Sequence, residues 1–199
     1  MDSAAWDERY AAGRQWSATP NVFVAELCAA LPPGRAIDLA AGEGRNALWL
    51  AGRGWEVTAV DFSAVALDRA AAQAATAGVP LAAEVADVLT WDPGPRPYDL
   101  ALICYLQVSE VQRRRALATA AASLGPGGRL VVVAHDTANL ESGTGGPRDL
   151  SVLWNPEETR QAMTDLGLRV ELCEVRCRPV PGADRPALDT VAVAVRDPG

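Results

Sequence analysis

The sequence predicts an α/β fold: a doubly wound, mostly parallel seven-stranded sheet with a C-terminal antiparallel hairpin. Three observations carry this. Five short apolar runs alternate with segments of helical period, an order that demands a mainly parallel sheet covered on both faces. A glycine loop, "GEGRNA", stands between the first run and the helix after it. Two longer strand-like runs, "LRVELCEVRCRPV" and "ALDTVAVAV", close the chain around "PGADR" and read as a hairpin.

The elements follow in order. Residues 20–31 read as a helix opened by Pro20, with Val24, Leu27, Cys28 and Leu31 on one face. "AIDLA" is a short buried strand, and 44–53 a helix ending near Gly54. "WEVTAV" is the second strand, and the helix over 63–77 starts at Ser63 and stops at Gly78. "LAAEVA" is the third strand and the proline-rich "WDPGPRP" a loop. "YDLALIC" is the fourth strand, followed by a helix over 109–123 capped by Ser109. "LGPGG" reads as a turn and "RLVVVA" as the fifth strand. A helix over 156–166 has Pro156 in its first turn and Asn155 as cap. The hairpin adds two strands at one edge, one of them antiparallel. All 199 residues make one domain, with residues 1–19 a lid or cap segment and 20–199 the catalytic core.

Composition excludes several classes. A hydrophobic content of 49% marks a globular chain rather than a disordered one. A net charge of −7 argues against nucleic acid or an anionic membrane surface as partner. The first ten residues carry three acids, no basic-then-apolar leader opens the chain, and no apolar run is long enough to span a membrane. Cys28, Cys104, Cys173 and Cys177 are scattered, and with a single histidine they make no zinc site. Reduced thiols in a cytoplasmic protein, monomeric or homodimeric, are expected. Abundant alanine, arginine and proline with no lysine suggest a GC-rich bacterial genome.

The loop fits the GxGxxG/A pattern of dinucleotide sites, through Gly42, Gly44 and Ala47, with Asn46 inside it. Asp61, at the tip of the second strand with Phe62 beside it, either accepts both ribose hydroxyls, as the loop before it favours, or is only a helix N-cap neighbour. Three features favour S-adenosylmethionine over NAD. Asp38 lies in the first strand, where a carboxylate repels a pyrophosphate but serves an amino group and a sulfonium. Asp87, followed by Val88, ends the third strand, either as acceptor for an adenine amino group or as a solvated strand end. The terminal hairpin suits a methyltransferase, and the length leaves no room for a dehydrogenase's substrate domain.

These residues make the chain resemble the class I S-adenosylmethionine-dependent methyltransferases, a Rossmann-like family. "IDLAAGEG" stands as the first motif, "VTAVDFS" as the second and "LGPGG" before the fifth strand. "GEGRNALWLAGRGWEVTAVD" is similar, more narrowly, to the small tellurite-resistance methyltransferases. Ala40 departs from the family's first glycine, and its methyl implies a position needing no positive φ. The resemblance also implies a His-Arg pair and a further arginine in the hairpin. Arg178 and Arg185 match, while Cys177 replaces the histidine. The two arginines either bind an anionic acceptor or form a solvated edge.

The remaining candidates lie at the carboxyl edge. His135, the single histidine, ends the fifth strand beside Asp136 and is either structural or a base. Cys104 and Tyr105 open "YLQV" under the expected methyl position, where Tyr105 is either a catalytic or a packing aromatic. Tyr10 and Trp16, with Trp6, belong to a covering lid or pack on the sheet edge. Trp154 reads as core. Together these features predict methyl transfer to a small-molecule acceptor: a chalcogen oxyanion, a thiol or another metabolite. A binding protein or non-methylating enzyme on the same fold, and an NAD-dependent reductase, are the alternatives.

Overall fold

Seven strands assemble in the order β3-β2-β1-β4-β5-β7-β6 in the computed structural model, which describes residues 3–13 and 19–198. The strands are β1 (Arg35–Leu39), β2 (Glu56–Asp61), β3 (Ala82–Val85), β4 (Tyr98–Cys104), β5 (Leu124–His135), β6 (Leu168–Arg178) and β7 (Ala187–Arg196). The first five are parallel; β7 runs antiparallel to both β5 and β6. This is the predicted sheet, hairpin included.

The apolar strands follow from burial on both faces. One core cluster joins Ile37, Leu39, Ile103, Val132 and Trp154, the other Val24, Leu50, Leu100, Val133 and Val191. Trp154 is core, as expected, and donates its indole N–H to the Leu106 carbonyl oxygen. The helices are α1 (Ser3–Ala11), α2 (Val22–Cys28), α3 (Arg45–Ala51), α4 (Ala64–Ala77), α5 (Glu110–Ser123), α6 (Asn139–Ser142) and α7 (Pro156–Asp165). Ser63 caps α4, a Ser109–Gln112 capping box opens α5 and Asn155 caps α7. Among the described residues no helix is long and apolar enough to cross a membrane, and the four cysteines are free.

Three expectations change. The second helix starts at Asn21, whose side chain accepts from Phe23 N and Val24 N, so Pro20 lies outside it. Its neighbour α3 ends at Gly52 rather than near Gly54, because Gly52 N–H closes onto the last turn. "LGPGG" is no free turn: it is drawn into β5 as a bulge, Leu124 pairing with Tyr98 and Arg129 with Leu100. Pro126, lacking an N–H, is tolerated at such an irregularity. The short α6 and a 3₁₀ turn at Leu150–Val152 occupy the glycine-rich loop, where the sequence has no helical period.

Candidate functional site

Chain order reverses at β1, so the switch point of the sheet lies between β1 and β4, where ligands of open α/β sheets bind. Across the carboxyl edge, Asp61 (β2), Asp38 (β1), Tyr105 (after β4), His135 (β5), Asp189 (β7) and Arg178 (β6) follow one another. Acids dominate one half, and a mixed polar cluster the other.

On the acidic half the loop leaves β1 through Ala40, with φ at 59°. This corrects the sequence expectation. The chain must turn sharply enough for Ala41 N–H to reach the Val60 carbonyl oxygen, and alanine adopts the left-handed conformation at a cost of about 1–2 kcal/mol. Gly44, at φ 76°, has a stronger reason to be glycine: a Cβ there would stand 2.8 Å from the Ala70 Cβ. Asp61 is buried and accepts from Gly42 N and Ser63 N at 2.8 and 2.9 Å, so it ties the loop to the start of α4. Burial raises its pKa, and the backbone N–H groups only partly offset that. A carboxylate has about four acceptor sites, which leaves two for the ribose hydroxyls.

Asp38 is 1% exposed, and neither of its carboxylate oxygens has a hydrogen-bond partner among the described residues. Burial pushes it up to about 7, against the pull of the Ala47 N–H and Arg45. Such an orphaned acid is costly unless a ligand completes it. A cationic amino group completes it and a pyrophosphate repels it, so the residues present fit S-adenosylmethionine. Asp87 is exposed and holds its own turn through Leu89 N, while Val88 beside it is buried. Asn46 accepts from Asn21 N at 2.9 Å, an engagement that anchors the start of α2. Phe62 is half-buried after Asp61. Cys104, at the end of β4, is held protonated by burial and the nearby Asp38.

The N-terminal helix packs on α4 at this half. Asp7 pairs with the Ser63 hydroxyl at 2.5 Å, and Arg69 bridges the Gly13 carbonyl oxygen and Glu43. Tyr10 is buried and stacks on Trp6. Trp16 lies outside the described residues.

The other half centres on a residue the sequence reading missed. Asp189, 0% exposed, accepts from the Tyr105 hydroxyl at 2.9 Å and from Arg178 Nε at 2.7 Å. Burial alone would raise its pKa; His135, Arg178 and Tyr105 together hold it below the ordinary carboxylate value. Tyr105 is held protonated by burial and by Asp189, and it accepts from Asn21 Nδ2. Its φ of 58° is strained for an aromatic residue, a feature that clusters at functional sites. Gln107, two residues on, has both amide atoms buried without a partner among the described residues. Arg185 stands apart: it is exposed and donates to the Glu141 carbonyl oxygen. The signal for Asp189 was available, as an acid inside the apolar run "ALDTVAVAV".

Residues 36–128 match the family model described as a methyltransferase domain. That stretch, just under half of the chain, carries a methyltransferase domain. S-adenosylmethionine is the cofactor of that domain, in agreement with the orphaned Asp38. Solved structures similar to this chain include one determined for the conversion of a disulfide bond into a thioacetal group during echinomycin biosynthesis. It is 19% identical, with a TM-score of 0.80 over 98% of this chain and 91% of the other. TehB from Haemophilus influenzae is 14% identical, with a TM-score of 0.74 over 96% of this chain and 67% of its own. The magnesium protoporphyrin IX methyltransferase ChlM from Synechocystis PCC 6803, with bound SAM, is 15% identical, with a TM-score of 0.68 over 98% and 81%. At these identities the likeness is one of fold. No curated protein matches the sequence.

Proposed function

We propose that this methyltransferase acts on a small-molecule acceptor in the cytoplasm, with the cofactor on the acidic half of the sheet edge and the acceptor on the other. The observation that carries the reading is Asp38, a buried carboxylate without a partner in a chain whose domain uses S-adenosylmethionine. When bound, the cofactor supplies an electrophilic methyl on a sulfonium. Asp38 takes the cofactor's amino group, Asp61 its ribose and Asp87 its adenine amino group. Gly42 and Gly44 let the loop backbone approach, with Ala40, Asn46, Phe62, Val88 and Cys104 shaping the pocket. Tyr10, stacked on Trp6, belongs to a lid that excludes water. Tyr105, His135 and Arg178 face the acceptor, and their work is mainly positioning and desolvation, since a sulfonium leaves readily. A chalcogen oxyanion, a thiol and a small hydroxylated metabolite are the acceptor classes in view. Cys177, in place of the tellurite family's histidine, weighs against tellurite. The test is a screen of these classes reading S-adenosylhomocysteine release. Turnover of one class supports the reading; release that no acceptor accelerates, by a protein that binds the cofactor, favours a non-methylating role on the same fold.

A further inference from the structure

Resting on that reading, we infer that His135 and Asp189 form a base dyad, and that the acceptor is a protic one, an O–H or S–H compound whose proton leaves during transfer. The geometry begins with two strands. His135 on β5 stands opposite Asp189 on β7 in the antiparallel register. His135 Nδ1 lies 3.2 Å from Asp189 Oδ1. Both atoms are buried, and neither has a completed hydrogen bond to any described residue. Each is therefore the partner within reach of the other, in an alignment that tightens when a ligand closes the site.

The imidazole is clamped from two further directions. The Tyr105 ring lies 4.9 Å away, tilted by 42°. Gly146, at φ 74°, is so close that a Cβ would stand 2.8 Å from ring atoms Cγ and Cδ2. Such a fit leaves the ring no freedom to turn its Nδ1 elsewhere. The charged groups around it are few. Asp189 and Arg178 come from β7 and β6, and Tyr105 follows β4. The adjacent Asp136 is turned away, its carboxylate taken by the Thr190 hydroxyl and Ala138 N. The side chain remains 13% exposed although Nδ1 is buried, so the exposure falls on ring atoms other than Nδ1.

A carboxylate facing Nδ1 fixes the tautomer with the proton on Nδ1 and the lone pair on Nε2. That is the arrangement of a general base, and it is idle for an acceptor that attacks through a free lone pair. In the step inferred here, His135 Nε2 takes the acceptor's proton. The electron pair left on the acceptor atom forms the bond to the methyl carbon, and the pair of the broken carbon–sulfur bond stays on sulfur. Asp189 stabilises the imidazolium, which returns its proton to water. Asp189 is thus a positioning residue, acting through His135.

A single histidine makes the test clean. Nitrogen-15 spectra of the imidazole, recorded at increasing pH until the ring is neutral, should show the proton on Nδ1. In Asp189→Asn the Nε2-protonated form should appear. A wild-type ring protonated on Nε2 overturns the dyad, whether or not the variant folds. With phenol and 2-mercaptoethanol as protic probes and selenite as an oxyanion probe, His135→Gln should lower kcat on the protic probes by about 10²–10⁴-fold. KM and the calorimetric affinity for S-adenosylmethionine should be nearly unchanged. Turnover of selenite that His135→Gln leaves intact, with no protic turnover, overturns the acceptor class. Failure of the wild type to bind S-adenosylmethionine would instead refute the proposed function itself.

Discussion

Asp38 and Ala40 lie two residues apart and differ in how far the sequence disclosed them. The acid was legible because it stands inside an apolar strand, and the fold buries it without a hydrogen-bond partner among the described residues. Its folded pKa, raised to about 7 from an ordinary 3.8, has two consequences. Between those values the folded state holds a proton the unfolded chain has lost, so Asp38 makes the ligand-free protein less stable as pH rises from about 4 to 7. The cofactor's amino group requires the ionised form, so S-adenosylmethionine affinity should rise as pH rises through about 7, with proton uptake by the buffer. Asp61, raised in the same direction, adds to the trend. Calorimetry in buffers of different ionisation enthalpy checks this, and Asp38→Asn should remove most of the proton release. Ala40 was misread, because one methyl does not forbid a left-handed backbone when the surrounding turn dictates it. Ala40→Gly relieves about 1–2 kcal/mol of strain but frees the unfolded chain, for a net gain of about 0.5–1 kcal/mol, measurable by urea denaturation.

The hairpin and the loop after β1 make their predictions as elements. Arg178 and Arg185 are seven residues apart in sequence and were read together, yet only Arg178 reaches the edge of the sheet, through Asp189. Arg185 sits in the hairpin turn against Glu141. Spacing alone does not reveal which side of a turn a long side chain takes. Arg178→Ala should therefore raise the acceptor KM about tenfold, from one lost charge-assisted contact, whereas Arg185→Ala should match the wild type at every salt concentration. Equal effects of the two would restore the paired reading. At the loop, Asp61 holds Gly42 and Ser63; if it also takes the ribose, as proposed, Asp61→Ala should weaken S-adenosylmethionine by about 2 kcal/mol. Unchanged affinity in a folded variant would remove it from the site.

At the scale of the molecule, the sheet was legible because burial on both faces writes apolar strands and capped helices plainly into the sequence. Ser63, Ser109 and Asn155 each begin a helix as read. The proposed acceptor side was legible only in part. His135 and Tyr105 announced themselves by type and by strand end, but Asp189 becomes their partner only when β7 inserts between β5 and β6. Asn21 likewise joins the loop to Tyr105 across 84 residues of chain. Such links depend on strand order, which no local pattern encodes. The central claim is that the acidic half of the sheet edge holds S-adenosylmethionine, with Asp38 on its amino group. Isothermal titration of the wild type and of Asp38→Asn with S-adenosylmethionine, S-adenosylhomocysteine and NAD tests it most directly. Binding of the first two, no binding of NAD, and a loss of at least tenfold in the variant is the predicted result. Binding of NAD, or cofactor affinity indifferent to Asp38, would contradict it.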